Sequence, residues 1–262
     1  MGIYVVTGGT KGIGEKTVEY LRDYGHEVIN VDIVGGDINV DLGTSEGRKT
    51  AIKEIHVRCP DGLDGLVSNA GIAGLANVLP SKVLSVNYFG AVELMEGVYN
   101  LLKMKKGNCV VTVSGTIAYI KRGKGYVDAL LTNCGDEERI CKLVDSFDRN
   151  MARNTMYGST KIALTHWMRR VAPSWATHGV NINAVAPGAI ATTIMGGSMP
   201  ENDNFLLSLP MPTVYNKQYM MDPDDVGEAL AFMVLPRAKG FSGAVLFCDG
   251  GTAAILDSDK VY

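Results

Sequence analysis

Ile3-Tyr4-Val5-Val6-Thr7-Gly8-Gly9-Thr10-Lys11-Gly12-Ile13-Gly14 is an apolar run of strand length that breaks into a glycine-rich turn and then into a helix-period segment ending near Tyr24-Gly25. An unbroken apolar run rather than an alternating one is the pattern of a strand buried on both faces, as in a parallel sheet covered by helices. On the turn, Gly8-x3-Gly12-x-Gly14 lacks the Cβ atoms that would keep backbone away from a pyrophosphate, and the helix start behind it favours negative charge. The alternative is a tight turn without ligand, because 31 glycines in 262 residues produce such triplets by chance. It is the placement on the first strand-to-helix turn that points to a nucleotide.

Working outward, His26–Asp32 reads as a second strand and Ile38–Leu42 as a very short third. Only eight residues separate Asp32 from Asp41, too few for the crossover helix that usually joins parallel strands. Ser45–Val57 reads as a helix, Leu63–Ser68 as a buried strand, Ser81–Lys106 as a long helical pattern and Asn108–Ser114 as the next strand. From Val127 to Asn150 the pattern is polar and helix-forming, broken at Gly135, and gives two short helices of an insert. A long helix follows over Met156–Thr177, interrupted late by Pro173, and then a strand over Val180–Ala186 and a turn at Pro187-Gly188. The stretch Ala189–Asp222 has little periodicity. Pro223–Leu235 is helical with Asp222 as its cap, and Ala244–Cys248 is the last strand. This alternation specifies an α/β fold, a doubly wound parallel sheet with helices on both faces. No repeat or linker divides it, so 1–262 reads as a single domain with a helical insert at about 120–152.

Composition narrows the function classes. Lys plus Arg total 25 and Asp plus Glu 28, a net charge of −3 without a long like-charge run, which argues against a nucleic-acid partner. Five cysteines form no CxxC and no zinc-like spacing, so no metal is expected and a reduced compartment suits them. Neither a signal-peptide pattern nor a long apolar segment is present, so a soluble cytoplasmic protein without membrane contact is expected. Met, at 12 residues, is in excess.

Asp32, at the end of the second strand, is placed for a carboxylate to accept hydrogen bonds from an adenosine ribose and to repel a 2′-phosphate, which favours NAD over NADP. Lys11 in the glycine loop is the opposing hint, and a turn-forming Asp is the structural alternative. Tyr157 and Lys161, four residues apart on a helix, lie on one face. An ammonium there would lower the phenol's pKa and make Tyr157 an acid or base at a carbonyl or carbinol. The spacing is not specific, since Tyr99-x3-Lys103 repeats it with no glycine loop or strand-end Ser nearby. Ser114 closes its strand at the carboxyl edge of the sheet, where it either holds a substrate oxygen or merely forms a turn.

Together, Thr7-Gly8-Gly9-Thr10-Lys11-Gly12-Ile13-Gly14, Asp41-Leu42, Asn69-Ala70-Gly71, Asn87, Ser114, Tyr157-x3-Lys161 and Pro187-Gly188 occur in the order and context of the short-chain dehydrogenase/reductase family, which the chain resembles from end to end. The resemblance implies a Rossmann-like seven-stranded sheet of order 3-2-1-4-5-6-7 and an NAD(P)-dependent alcohol dehydrogenase or ketone reductase. It implies Tyr157 as general acid/base, Lys161 lowering its pKa and binding the nicotinamide ribose, Ser114 orienting the substrate oxygen and Asn87 holding a water in a proton relay. Cofactor contacts implied are Gly8, Thr10, Lys11, Gly12, Ile13 and Gly14, with Asp41 accepting from the adenine amine beside Leu42. Asn69, with Ala70 and Gly71, would line the adenosine ribose, and Ile190 to Thr192 after Pro187-Gly188 would meet the carboxamide.

Two departures narrow the resemblance. Between Ser114 and Tyr157 lie 42 residues, about 30 more than most members have, and the crossover between the second and third strands is nearly gone. With Glu46-Gly47-Arg48-Lys49, Leu63-Asp64-Gly65-Leu66-Val67 and the segment Val86–Met95, these features resemble the bacterial 3α-hydroxysteroid dehydrogenase/carbonyl reductase branch, so a small apolar substrate, a steroid or bile acid, is implied. A broad-specificity carbonyl reductase, or a hydroxysteroid dehydrogenase acting at position 7, 12 or 17, is the alternative. A catalytically silent redox sensor on the same fold is a third, opposed by the full set of catalytic residues. Met195, Met199, Met211, Met220 and Met221 fall in 189–222, read as the loop over the substrate, where thioethers mould to a rigid apolar body or merely fill gaps. The insert is expected to block the family's four-helix pairing, leaving a homodimer through the last strand and C-terminal helix.

Overall fold

The computed structural model describes residues 1–73, 78–118, 126–134, 136–147, 149–190, 220–256 and 258–259. Strand β1 (Ile3–Thr7) lies inside a parallel sheet flanked by β2 (Glu27–Asp32) and β4 (Gly65–Ser68). With β3 (Ile38–Asn39), β5 (Asn108–Thr112), β6 (Asn181–Pro187) and β7 (Val245–Cys248), the described residues form one seven-stranded sheet of order β3-β2-β1-β4-β5-β6-β7. Its strand pairs are parallel throughout.

The apolar run of β1 feeds both faces at once. Tyr4 and Val6 join a core with Val18, Leu21, Val67, Val110, Val226 and Leu230, under α1 (Gly12–Asp23) and α9 (Pro223–Val234). Val5 points the other way and joins Ile55, Leu66, Leu94, Val111, Ile162 and Met168. That face is covered by α2 (Ser45–Arg58), α4 (Ala91–Gly97), α5 (Tyr99–Lys105) and α8 (Arg149–Ala176). Side-chain alternation along a strand makes this division, and burial of both sets explains why the run carries no polar residue before Thr7.

Several boundaries differ from the sequence pattern. Strand β3 holds two residues, because β2 and β3 pair only at Val31↔Ile38 and Asp32↔Asn39. The five residues between them turn through Gly35 at φ 78°, and the Asp37 carboxylate accepts the Asn30 N–H at 2.8 Å. The Ser81–Lys106 pattern is not one helix: α3 (Pro80–Leu84) runs into a π-helical turn over Ser85–Gly90, then α4, and Val98 separates α4 from α5. The two insert helices form as expected, α6 (Tyr126–Cys134) and α7 (Glu137–Asp145), but α8 starts at Arg149, inside the stretch assigned to the insert. Pro173 does not interrupt α8, which continues to Ala176. Helix α9 starts as read: the Asp222 side chain accepts the Asp224 N–H at 3.0 Å and Pro223 is its first residue.

Strand order reverses between β1 and β4, which opens a crevice at their carboxyl ends. Thr7 and Ser68 are paired at that edge, the glycine loop, Asn69, Ser114 and Gly188 follow strands ending on it, and Pro187 is the last residue of β6 there.

Candidate active site

The glycine loop is shaped by contact as much as by flexibility. Gly8 and Gly12 have φ 68° and 61°. A Cβ on Gly14 would stand 2.0 Å from the Gly8 carbonyl oxygen and one on Gly8 would stand 2.9 Å from Ala70 Cα. Loop, first helix turn and the 69–71 segment are therefore packed backbone to backbone. Helix α1 begins after Lys11, whose side chain makes no cap. By contrast, Thr44 caps α2, Asp136 caps α7 and Asp222 caps α9. The first-turn N–H groups of α1 thus remain available to an anion, and the cradle fits a dinucleotide pyrophosphate.

Asp32 stands where β2 ends. Its Oδ2 accepts the Thr10 N–H at 3.0 Å and its Oδ1 the Ile33 N–H at 2.7 Å. The carboxylate is oriented by the glycine loop and keeps lone pairs for a ribose diol. Asn30, unmarked in the sequence reading, does the same for the neighbouring residue by accepting the Gly9 N–H at 2.9 Å. Ile13 is partly buried against the α1/α9 core.

Two threonines tie the cradle to the catalytic side. Thr7 Oγ1 accepts both the Asn69 and Ala70 N–H groups at 2.9 Å. Asn69 donates to the Gly8 carbonyl at 3.3 Å and accepts from Thr112 Oγ1 at 3.0 Å. The Thr112 carbonyl in turn accepts from Lys161 Nζ at 3.0 Å. The repeated tripeptides Val5-Val6-Thr7 and Val110-Val111-Thr112 are the signal that marks both positions, each a hydroxyl at the same point of a buried strand.

Ser114, two residues beyond the observed end of β5, is hydrogen-bonded to the Tyr157 phenol. Lys161, one turn along α8, is 4% exposed, with Nζ 5.8 Å from the Tyr157 ring centroid. Burial pushes Lys161 down to about 8. Burial pushes the Tyr157 phenol up, and Ser114's hydrogen bond partly offsets it. Ammonium and phenol share one desolvated pocket, and Lys161 directs a proton to Thr112.

Asn87 lies fully buried in the π-helical turn, a helix irregularity common at functional sites. Its Oδ1 accepts the Ile72 N–H at 2.8 Å and its Nδ2 donates to the Ile72 carbonyl at 2.9 Å. A Cβ on Gly71 would stand 3.2 Å from Asn87 Oδ1 and 3.3 Å from Lys161 Nζ, so Gly71 is the gap between these two side chains.

Other expected contacts are rearranged. The Asp41 carboxylate is already engaged: Oδ2 is 2.6 Å from Lys82 Nζ and Oδ1 accepts the Gly43 N–H at 2.8 Å. Burial pushes this carboxyl up, but Lys82, the Gly43 N–H and Arg48 together hold it below its usual value. Leu42 is a core residue at 7% exposure. Gly188 donates its N–H to the Cys248 carbonyl at 3.0 Å, and Gly115 abuts the Pro187 carbonyl, 2.9 Å from where a Cβ would be. Ile190 bridges Met221, and both are buried in the α1/α9 core. Met221 is thus a core filler, which corrects its assignment to the substrate. Thr192, Met195, Met199 and Met211 lie outside the described residues. Tyr99 hydrogen-bonds His178 at 2.9 Å and stacks on Trp175, beside the amino-terminal end of β6 and away from the crevice.

Two family models match the chain: one described as short chain dehydrogenase over residues 3–127 and one described as enoyl-(acyl carrier protein) reductase over residues 141–253. The 3-alpha-hydroxysteroid dehydrogenase/carbonyl reductase of Comamonas testosteroni is 33% identical over 261 residues, 98% of each chain. A coniferyl-alcohol dehydrogenase of a Pseudomonas strain is 28% identical, covering 95% of this chain and 96% of that one. Among solved structures, the 3-alpha-hydroxysteroid dehydrogenase of Pseudomonas sp. B-0831 complexed with NADH superposes with TM-score 0.87 at 31% identity, covering 99% of this chain and all of that one.

Proposed function

Because the chain belongs to the short-chain dehydrogenase/reductase family, whose members transfer hydride between a nicotinamide dinucleotide and an alcohol or ketone, we propose that it acts with NAD(H) on a hydroxyl or ketone of a steroid or bile acid. The observation that carries the chemistry is the Ser114–Tyr157 hydrogen bond beside a buried Lys161. The steroid assignment is supported by the two hydroxysteroid dehydrogenases that match over nearly the whole chain.

Gly8, Gly12 and Gly14 would hold the pyrophosphate, Asp32 the adenosine ribose and Lys161 the nicotinamide ribose. The bound cofactor supplies or accepts the hydride. Tyr157 Oη holds the proton that passes to the ketone oxygen, and burial keeps that proton on the phenol until the oxygen gathers charge. Ser114 Oγ donates to the same oxygen, so the developing charge meets two placed donors. In the oxidative direction Tyr157 would first release its phenol proton toward solvent through water along Lys161 and Asn87, which are separated by Gly71, and the phenolate would then take the alcohol proton as the hydride leaves. Asp32's charge at the ribose is the support for NAD over NADP. Free thiols at Cys59, Cys109, Cys141 and Cys248 accord with a cytoplasmic enzyme.

The test is initial-rate assay of NAD and NADP reduction with hydroxysteroids and bile acids differing at positions 3, 7, 12 and 17, alongside small alcohols. Turnover of a 3α-hydroxysteroid with kcat/KM at least tenfold above the small alcohols is expected. Equal kcat/KM for steroids and small substrates would replace this reading with a broad carbonyl reductase.

A further inference from the structure

Arg48 on α2 is the largest fully buried charged side chain among the described residues, at 1% exposure. A guanidinium out of water is sustained only by well-placed partners, and here they come from three other segments. Nε is 2.6 Å from Glu93 of α4. Nη2 pairs with Glu137 of the insert helix α7, and Nη1 lies 3.4 Å from the other Glu137 oxygen. Nη1 also donates to the Leu42 carbonyl at 3.3 Å. The far end of α7 makes a second anchorage: Asp145 Oδ1 accepts the Ser81 N–H at 2.9 Å in the first turn of α3. The next residue, Lys82, holds the Asp41 carboxylate.

Segment 41–43 is thus gripped twice, at the Leu42 carbonyl by Arg48 and at the Asp41 side chain by Lys82. Each grip is fixed from behind by one end of α7. We propose that the insert sets the adenine end of the cofactor site, with Glu137 as a positioning residue that acts through Arg48 on Leu42. This rests on the nucleotide reading of the crevice, in which Asp41-Leu42 faces the adenine. Glu137 holds two guanidinium nitrogens while Glu93 holds the third. Neutralising Glu137 leaves Arg48 paired with Glu93, so the fold survives while the guanidinium loses the contact that aims Nη1 at Leu42.

Titration calorimetry of the full chain with AMP, nicotinamide mononucleotide and NADH tests this in wild type, Glu137→Gln, Glu137→Asp and Glu138→Gln. The last is a control on an exposed residue paired with Lys142 along its own helix. Couplings of this kind change affinity by roughly two- to thirtyfold. Glu137→Gln is expected to weaken AMP and NADH by a common factor of about three to ten within that range, with nicotinamide mononucleotide and kcat within about twofold of wild type. Glu137→Asp should recover part of the loss, and Glu138→Gln should match wild type. An unchanged AMP affinity in Glu137→Gln overturns the proposal, as does an equal loss for both mononucleotides, which marks general loosening. Absence of AMP binding by wild type overturns the nucleotide reading itself, and this inference with it.

Discussion

Lys161 carries a cation into a pocket where it is 4% exposed and bonded to a main-chain carbonyl, so its pKa of about 8 reflects desolvation. Since the unfolded lysine holds its proton to about 10.4, the unfolded chain binds the extra proton between about 8 and that value. Stability contributed by this site therefore rises with pH across that window. Urea unfolding of wild type and Lys161→Met from pH 7 to 10 should show the gap between them shift in favour of wild type, and a constant gap would remove the effect. Tyr157 is pushed the opposite way, toward the protonated phenol. Tyr157→Phe should cut kcat by roughly 10²- to 10⁴-fold, the usual worth of a positioned acid or base, with NADH affinity by fluorescence titration within about twofold. Retention of more than a few per cent of wild-type kcat would assign the proton to another group. At Asp32, oriented by Thr10 and Ile33, substitution by Ala should raise the NADP/NAD ratio of kcat/KM by tenfold or more. An unchanged ratio would place the ribose elsewhere.

Elements carry the site through close backbone contacts rather than through flexible side chains. Helix α1 meets the glycine loop at Gly14, where a Cβ would fall on the Gly8 carbonyl. A main-chain atom there cannot move without shifting β1's end and the 69–71 segment. Gly14→Ala should therefore destabilise the fold by about 1–3 kcal/mol or more, as overpacking does, and abolish NADH binding; urea unfolding and calorimetry read the two effects separately. This element was legible in the sequence because an apolar strand, three glycines and a helix are local patterns. The π-helical turn at Ser85–Gly90 was not, since Asn87's pairing with Ile72 arises between segments 15 residues apart. Likewise α8's start at Arg149 exceeds its sequence pattern, because residues 149–155 carry no apolar periodicity that marks a helix.

At the scale of the whole molecule, the insert packs α6 on α8 and α7 on α3, with Val127, Ile140 and Val144 buried. Asp128 of α6 accepts from His166 and Arg170 of α8, so the insert covers the outer side of the catalytic helix. Sedimentation velocity at micromolar concentration should give a dimer; a tetramer would show that α8 remains free to pair. Sequence alone determined the doubly wound sheet and its strand–glycine turn–helix opening, and named Asp32, Ser114, Tyr157 and Lys161 as candidates, because strand runs, glycine turns and i,i+4 spacing are written in neighbouring residues. Tertiary structure alone decided that burial pushes the Tyr157 phenol up, that Asp41 is already held by Lys82, and that Arg48 joins the insert to segment 41–43. Those outcomes depend on desolvation and on charges brought together from residues 41 to 89 positions apart, and no local pattern encodes either.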